Sequence, residues 1–564
     1  RKLIMNDKKN NVILEEYENK FSYRKSKTNL NIEFNRIAFI FFIFFVISII
    51  YSIQLLHLGS LKKKVNNIKS QITKKNYRAD IVDRNGNYLV KSVSSIDIGI
   101  SPIEIIDKKK LLINLKWIFP NKDYNKIKKK LSKNKFFIFE KNISPINYEK
   151  IMSLGDKAIR PEEKLTRLYP QKNLFSHIIG QIDDDNNGIS GIEKSFDTEL
   201  KITKALLKLT VDADIQFLIR EELLKFKEIF RAKGGAAILM NVNNGAIISM
   251  VSLPDFNLNE RKTITDVNYI NRATKGVYEF GSVFKTFTVA AGFNESLIEP
   301  NTEYLNLKKK IECNGFKIRE YSTTIPVNLT VEEILIRSGN IGSVRIGQKL
   351  GVEKFKSFLT KIGVQGAIDF DIQEVGKPIP INWGKCKLAT ASYGHGITTT
   401  LLQIAKGYSI VTNGGYDIKP TIIQKRLIKT NSRKKILNKD VSNKINKILR
   451  KIVTNKEGTA KLANVRGYEV GGKTGTAQIS KNGRYTRDKI NTFAAVFPSQ
   501  KPKYTLIVML DEPKTNSEYI YHYRDDTQPT KGTPFNTAGW TSVEVAGKII
   551  ERIGPILATK YIEN

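Results

Sequence analysis

A run of apolar residues near the start of the chain constrains its fold more than any other feature. Residues 37–56 read IAFIFFIFFVISIIYSIQLL without a single charge, and about 20 such residues are what a helix needs to cross the hydrocarbon core of a bilayer. No small-residue cleavage site follows closely, so we expect an uncleaved anchor. Basic residues flank both ends, which leaves the orientation of the helix open. The rest of the chain must then fold as parts tethered to a membrane.

The charge of the chain narrows the choice of partners. Lysine plus arginine number 93 against 55 acidic residues, a formal net charge of +38. The basic residues are mostly lysine and are scattered, with no arginine-rich arm and no basic stripe interleaved with aromatic residues. We therefore expect no specific nucleic-acid partner, and only a weak attraction to an anionic polymer or a membrane surface.

The two cysteines, Cys313 and Cys386, are too few for a disulfide framework or a cysteine-based metal site. A single bridge between them in an oxidising compartment stays open, but we expect free thiols, and no metal or cofactor. The histidines stand in no catalytic pattern, and we interpret all four as structural: His57, His177, His395 and His522.

Composition divides the chain into four parts. Residues 1–36 predict a polar tail in front of the anchor at 37–56. Residues 57–206 mix short strands with lysine-rich helices and carry no catalytic constellation, which indicates a structural pedestal. Residues 207–564 show longer helix and strand patterns with clear turns between them, and they predict the functional domain.

Turn signals in both large parts predict antiparallel strands. Apolar alternation surrounds Asn85-Gly86 in the pedestal and Asn243-Asn244-Gly245 in the last part, and both patterns are typical of hairpins. Apolar runs at 493–497 and 504–510 predict two more strands, and 543–553 predicts a closing amphipathic helix. The simplest fold class is α+β, an antiparallel sheet with helices packed around it.

A serine and a lysine stand at helical spacing in the last part. In Gly281-Ser282-Val283-Phe284-Lys285 an apolar helical pattern follows, so the Ser282 hydroxyl and the Lys285 amine fall on one helix face. A serine at a helix start gains free N–H groups and the positive dipole end, which suit a nucleophile. The pattern alone is weak, because it also occurs at Ser60-Lys63, Ser132-Lys135 and Ser432-Lys435.

A lysine that acts as a base near neutral pH needs an unusual environment. The reference pKa is about 10.4, so a half-neutral amine near pH 7.5 needs a depression of roughly 3 units. Burial and a neighbouring cation both lower a lysine pKa. We expect Phe280 and Phe284 to cover Lys285, and Lys473 to be the cation.

Ser338-Gly339-Asn340 supplies a second hydroxyl and an amide. The Ser338 hydroxyl can pass a proton between Lys285 and a leaving amine. The Asn340 side chain can hold the Lys285 ammonium and a carbonyl of the substrate. Whether Lys285 or Ser338 is the base in each step stays open.

Lys473-Thr474-Gly475-Thr476 predicts an edge strand that binds an extended peptide by strand addition. Gly475 would let the substrate approach closely, while the Lys473 ammonium and the two threonine hydroxyls suit a terminal carboxylate. The backbone N–H groups of Ser282 and Thr476 are the predicted oxyanion hole.

The last motif overlaps a phosphate-loop pattern. Residues 467–474 satisfy G-x-x-x-x-G-K-T, a loop that needs a buried strand before it and a helix after it. Residues 461–466 do not read as such a strand, and 478–484 contain a Lys-Asn-Gly turn. An ATPase is therefore a minor alternative.

The three motifs in this order are the signature of penicillin-binding proteins and serine β-lactamases, and the chain resembles a class B penicillin-binding protein over nearly everything after its tail. The pedestal contributes Arg78 to Val90, Arg167 to Pro170 and Gly188 to Glu193. Within the class the chain is most similar to the division-specific, FtsI-type member. That finer likeness rests on residues 338–342, 390–397, 400–403, 413–415 and 473–478. Phe280 stands where many relatives have proline.

The resemblance implies a β-lactamase-like transpeptidase domain on an elongated, dimerisation-type pedestal. It implies a penicillin-sensitive peptidoglycan D,D-transpeptidase: Ser282 attacks between the two terminal D-alanines of a stem peptide, and an amine of a neighbouring stem peptide resolves the acyl-enzyme. It also implies an inner-membrane protein with a cytoplasmic tail and a periplasmic catalytic domain at the division septum. The implied partners are an FtsW-type glycan polymerase and other divisome proteins, with β-lactams as covalent inhibitors.

Several alternatives remain at this point. An elongation-type class B transpeptidase is the main one. A β-lactamase, a membrane-bound β-lactam sensor and a divisome scaffold without catalysis are lesser ones, since no deacylating carboxylate stands out and every motif residue is present. Residues 513–536 form either a loop near the substrate groove or an exposed excursion.

Overall fold

The computed structural model describes residues 36–57, 77–260, 266–427, 433–481, 483–523 and 528–560. It divides at Asn76/Tyr77 into two units, each described by itself. In the first unit, helix α1 (Arg36–His57) is the one described helix that is long and apolar enough to cross a membrane, with a mean hydropathy of 2.6 over its most apolar window. Its side chains are exposed. The predicted apolar helix therefore forms, while residues 1–35 of the predicted tail lie outside the described residues.

The larger unit begins with a five-stranded sheet. Its strands are β1 (Ile81–Val82), β2 (Tyr88–Ile100), β3 (Phe137–Glu140), β4 (Ile159–Leu168) and β5 (Leu207–Lys208). The helices around it are α2 (Lys108–Ile118), α3 (Tyr124–Ser132), α4 (Pro145–Met152), α5 (Ser176–Ile179), α6 (Gly191–Ser195) and α7 (Asp197–Ile202). Strand β2 pairs antiparallel with β1, β3 and β4, and β1 pairs parallel with β5. The predicted hairpin is confirmed: Val82 pairs with Tyr88 across a turn in which Gly86 has φ +94°.

A buried cluster of charges joins the three pedestal segments that carried the resemblance. The Glu193 carboxylate, fully buried, accepts from Arg78 Nε at 2.5 Å and from Arg167 Nε at 2.8 Å. Arg167 also donates to the carbonyls of Arg78 and Ala79. A buried carboxylate is tolerated only when it is paired and hydrogen-bonded, so these distant segments are fixed to one another.

The second part of this unit contains the remaining elements. Its strands are β6 (Gly234–Asn241), β7 (Ile247–Leu253), β8 (Tyr278–Glu279), β9 (Glu303–Tyr304), β10 (Lys310–Cys313), β11 (Phe316–Arg319), β12 (Leu329–Thr330), β13 (Thr398–Thr399), β14 (Gly471–Lys481), β15 (Arg484–Phe497), β16 (Tyr504–Asp511), β17 (Ile520–Tyr521) and β18 (Thr530–Lys531). Its helices are α8 (Ala213–Ile229), α9 (Asp266–Tyr269), α10 (Lys285–Asn294), α11 (Val331–Ile336), α12 (Asn340–Leu350), α13 (Val352–Lys361), α14 (Lys385–Ala391), α15 (Leu401–Thr412), α16 (Lys439–Thr454) and α17 (Ser542–Lys560).

Five of these strands form an antiparallel sheet in the order β14-β15-β16-β6-β7. Every residue of β16 is buried, and because strand side chains alternate between faces, both faces of the sheet must be covered. Helices α8 and α17 pack together and on the sheet, and α15 and α16 form a second packed group. The predicted strands, the hairpin at Gly245 and the closing helix are confirmed, with β15 and α17 longer than predicted.

The expectation of free thiols is wrong. Cys313 at the end of β10 and Cys386 in α14 form a disulfide, with Cα atoms 5.6 Å apart, inside the usual range for such a bond. Their separation of 73 positions hid this proximity from the sequence. The bond ties the β10–β11 hairpin to the helix that leads into Tyr393-Gly394-His395.

Candidate active site

The predicted nucleophile lies where three backbone segments meet. Ser282 is in a 3-10 turn, Gly281–Phe284, that runs directly into α10. Gly281 has φ +56°, and a Cβ on it would lie 2.7 Å from the Thr476 carbonyl oxygen. A Cβ on Gly394 would lie 1.8 Å from the Gly281 carbonyl oxygen. Only glycine fits such contacts, so the turn is held closely between β14 and the segment after α14.

Helix α10 behind this turn is a core helix. All its residues from Lys285 to Phe293 are buried. The buried Tyr408 hydroxyl donates to the Val283 carbonyl at 2.9 Å and lies 2.9 Å from the Thr286 hydroxyl. Sequence reasoning missed Tyr408 as a support of the nucleophile turn, since the contact joins positions more than 100 residues apart.

The three predicted motifs converge on the Ser338 hydroxyl. Lys285 Nζ donates to the Ser338 carbonyl at 2.5 Å, to Asn340 Oδ1 at 2.7 Å and to Ser338 Oγ at 3.2 Å. From the other side, Lys473 Nζ donates to the same Ser338 Oγ at 2.9 Å and to the Thr474 carbonyl at 3.1 Å. A hydroxyl between two amines is suited to proton relay.

Burial controls the charge of both lysines. It lowers the pKa of Lys285 to about 7, with the Glu320 carboxylate acting in the opposite direction. Burial first, and then the Lys285 charge, holds the pKa of Lys473 well below its ordinary value. The predicted lowering of the Lys285 pKa is found, and Phe280 and Phe284, which were expected to cover Lys285, are both buried. Burial is the largest cause for both lysines, and repulsion between the two ammonium groups disfavours charging both at once.

The third motif lies on the edge strand β14, as predicted, because β14 pairs only with β15 within its sheet. The structure explains the glycine at position 475 by a contact within the chain, and not by the predicted approach of substrate. A Cβ at Gly475 would lie 2.1 Å from the Phe280 carbonyl oxygen. The Thr474 hydroxyl lies 2.8 Å from that of Thr459, and the Thr476 hydroxyl accepts from the Ala538 amide at 2.9 Å.

A cleft of about 1090 Å³ opens at these motifs. Its lining includes Ser282, Ser338 and Asn340, together with residues 321–323, 393–395 and 534–537. Within residues 513–536, Tyr523 and residues 534–536 line the cleft, which supports the first of the two interpretations for this part; residues 524–527 lie outside the described residues. Among the described residues, no group of three His, Cys, Asp or Glu side chains could hold a metal ion.

Two carboxylates that contact the site segments were not identified from the sequence. Glu279 lines the cleft, accepts from the Gly396 amide at 2.9 Å and from the Tyr485 hydroxyl at 2.9 Å, and lies 3.9 Å from His395. Glu320 accepts from the backbone amides of Asn340 at 2.6 Å and Ile341 at 2.8 Å. Glu279 could have been found from its position, because it stands three residues before Ser282. Nothing in the sequence pointed to Glu320.

The other matches to these sequence patterns form no second site among the described residues. The segment before the phosphate-loop pattern contains only a 3-10 turn, Lys461–Ala463, and a strand follows it where a helix is needed, so the ATPase alternative is wrong. Ser132 ends α3 and is exposed. The pairs Ser60-Lys63 and Ser432-Lys435 lie outside the described residues, the latter through Ser432.

Two known protein families match most of the chain between them. Residues 235–526, more than half of the chain, match the family model described as the penicillin binding protein transpeptidase domain. Residues 73–225 match the one described as the penicillin-binding protein dimerisation domain.

Similar curated proteins come from several bacteria. A probable peptidoglycan D,D-transpeptidase FtsI of Caulobacter vibrioides is 29% identical over 500 residues, which cover 86% of this chain and 82% of that protein. Stage V sporulation protein D of Bacillus subtilis is 28% identical, covering 78% and 75%. Peptidoglycan D,D-transpeptidase FtsI of Escherichia coli is 24% identical, covering 78% and 80%.

Among solved structures, penicillin binding protein 3 of Mycobacterium tuberculosis in complex with aztreonam is similar, with a TM-score of 0.64 at 20% identity. The likeness covers 86% of this chain and 97% of that one. The predicted fold class is thereby confirmed.

Proposed function

Because the chain belongs to the penicillin-binding protein family and carries its transpeptidase domain, we propose that it cross-links peptidoglycan stem peptides at the division septum through an acyl-enzyme on Ser282. The observation that carries this proposal is the pair of buried lysines, Lys285 and Lys473, that share the Ser338 hydroxyl inside the cleft lined by Ser282. A neutral amine with a hydroxyl relay beside a serine is what serine acyl transfer requires.

In the first half-reaction, Ser282 Oγ attacks the carbonyl between the two terminal D-alanines of a donor stem peptide, and its proton passes to the Lys285 amine. The backbone N–H groups of Ser282 and Thr476 receive the negative charge on the carbonyl oxygen. A donor of this kind is worth about 10²–10³ in rate. The C–N bond breaks, the proton reaches the leaving D-alanine through Ser338, and an ester on Ser282 remains.

In the second half-reaction, an amine of a neighbouring stem peptide attacks this ester. Its proton travels through Ser338 and Lys285 back to Ser282 Oγ as the ester C–O bond breaks, and the cross-link is an amide. β-Lactams would acylate the same serine. The hydroxyls of Thr474 and Thr476 and the Lys473 ammonium bind the terminal carboxylate of the donor, and β14 with Gly475 pairs with its backbone.

Helix α1 would anchor the protein in the inner membrane, with residues 1–36 in the cytoplasm, residues 57–206 as a periplasmic pedestal and residues 207–564 as the catalytic domain. The pedestal and the anchor are the surfaces proposed for an FtsW-type glycan polymerase and other divisome proteins. The FtsI names of similar proteins support a septal role.

The chemical proposal is tested by labelling with a fluorescent penicillin. The full-length chain in detergent should form a covalent adduct that is lost in Ser282→Ala and slowed on the order of 10³-fold in Lys285→Ala, because the base is removed. Ser132→Ala is the matched control, since it changes a serine in the same S-x-x-K pattern on an exposed helix end, and it should label at the native rate. Labelling of Ser282→Ala at the native rate would refute the nucleophile.

The cellular proposal is tested by imaging a tagged copy. Midcell enrichment during division is expected, and a sidewall pattern without it would favour an elongation-type enzyme.

A further inference from the structure

All the hydrogen-bond acceptors of the Lys285 amine lie on one short segment. The acceptors are the Ser338 carbonyl, Ser338 Oγ and Asn340 Oδ1. Ser338 itself has φ +57°, a left-handed conformation that residues other than glycine adopt only where their surroundings hold them. The position of the amine relative to Ser282 therefore depends on whatever fixes residues 338–340.

Glu320 fixes that segment from outside. Its Oε2 accepts from the Asn340 amide at 2.6 Å, and its Oε1 accepts from the Ile341 amide at 2.8 Å. Arg319, the residue before Glu320, adds a third bond: its carbonyl accepts from the Asn340 side-chain amide at 2.8 Å. Both oxygens of one carboxylate thus cap the start of α12, where charge-assisted bonds and the positive helix end favour a negative group.

We propose that Glu320 is a positioning residue for acylation: it holds the start of α12 so that Asn340 and Ser338 present the Lys285 amine to Ser282. This role rests on the proposed function. Glu320 touches neither the nucleophile nor the amine directly in the hydrogen-bond pattern, so it acts through Asn340.

The carboxylate also has an electrostatic effect on the base. Burial lowers the pKa of Lys285 and the Glu320 charge raises it. The other charged or titratable groups near this pair are Lys473 on β14, Tyr321, whose pKa is raised by burial and then by Glu320, and the Arg337–Glu457 ion pair at 2.9 Å. Removing only the Glu320 charge should therefore let the pKa of Lys285 fall further. The neutral amine is the active form. The acid limb of the profile of acylation rate against pH, called the acid limb below, should therefore move to lower pH.

Three variants separate position from charge. Glu320→Gln keeps the size of the side chain and one acceptor oxygen but loses the charge and the second acceptor. Glu320→Ala loses both bonds, and Glu320→Asp keeps the charge and both acceptors on a shorter side chain. For each, the acylation rate of the full-length chain in detergent is measured against fluorescent-penicillin concentration and pH, with circular dichroism and thermal unfolding as checks of folding.

We expect the saturating acylation rate of Glu320→Ala to fall on the order of 100-fold, which a displacement of about 1 Å can cause. Glu320→Gln should fall less and should show its acid limb roughly one pH unit lower, the size of shift that an opposite charge produces. Glu320→Asp should restore most of the rate and the native limb. If the alanine variant does not fold, the glutamine and aspartate variants carry the test.

The matched control is Asp107→Asn. Asp107 caps α2 in the pedestal by accepting from the amides of Lys109 at 2.9 Å and Lys110 at 3.1 Å, so it is also a carboxylate that receives two helix amides. Its variant should acylate at the native rate with the native limb. The inference is overturned if folded Glu320→Gln and Glu320→Ala acylate as fast as the native chain, or if they are slowed with an unchanged limb and no rescue by aspartate. A native chain that forms no adduct would instead refute the proposed function.

Discussion

Two fully buried amines share one hydroxyl in the cleft, at Lys285 and Lys473. The ammonium form of each lysine is disfavoured by burial and by a positive charge on the other lysine. The pair therefore carries one positive charge more readily than two. The sequence predicted that the pKa of a lysine base must be lowered from about 10.4 to near neutrality. Burial in the core helix α10 lowers the pKa of Lys285 to about 7. The meeting of both amines at one hydroxyl could not be foreseen, because it joins positions 53 and 135 residues apart in the sequence.

This arrangement predicts the pH dependence of the native chain. The pKa of Lys285 is lowered to about 7, and below this value the ammonium cannot accept the Ser282 proton. The penicillin acylation rate should therefore rise about tenfold per pH unit on the acid side and level off above neutrality. Stopped-flow labelling between pH 5 and 9 measures it. A flat profile, or a rise only near pH 10, would contradict a buried neutral lysine as the base.

Gly475 offers a test of the contact between β14 and the nucleophile turn. A Cβ there would meet the Phe280 carbonyl oxygen at 2.1 Å and a Val283 methyl at 2.6 Å, so Gly475→Ala must push the edge strand away from Ser282. We expect acylation to slow on the order of 100-fold and unfolding to be easier by about 1–3 kcal/mol. Gly384→Ala, with nothing within 4 Å of its new methyl group, is the control. Native labelling by Gly475→Ala would show that the strand can move without consequence.

At the scale of elements, the hairpin β10–β11 lies between the disulfide and the Glu320 carboxylate. Cys313 ends β10, and Glu320 directly follows β11. The disulfide to Cys386 holds this hairpin against α14. The sequence could predict neither the bond nor the Glu320 contact, since both join segments that are distant or irregular. It could predict the Gly86 and Gly245 hairpins and the edge strand β14, because local turn residues specify them.

The disulfide gives a stability prediction. Closing a loop of 73 residues stabilises a native state by about 2–4 kcal/mol. The double variant Cys313→Ser, Cys386→Ser should lose this amount in denaturant unfolding under oxidising conditions. Added reductant should lower the native chain to the same level and leave the double variant unchanged. Equal stability of both chains without reductant would mean that the bond makes no contribution.

At the scale of the whole molecule, hydrophobic packing does not follow the predicted boundary at 206/207. One core runs from pedestal residues such as Ile81, Ile192 and Leu200 into the catalytic sheet, while Ile98, Leu115 and their neighbours form a second core. Strand β2 enters both, with Val90 in the first and Ile98 in the second. The boundary predicted from the sequence rests on differences in composition and pattern along the chain. Which residues are buried in the same core depends on tertiary contacts between positions 100 residues apart and more, which composition does not reveal.

Two matched core deletions test this division. Leu115 and Ile192 are both fully buried, and replacing either with alanine should destabilise its own core by about 2–5 kcal/mol. In Leu115→Ala, hydrogen exchange should accelerate within residues 101–158 while penicillin acylation and exchange in the catalytic sheet stay native. In Ile192→Ala, the temperature at which labelling is lost should fall, because this side chain belongs to the core that supports the sheet. Faster exchange in the catalytic sheet of Leu115→Ala would show that the two cores unfold as one.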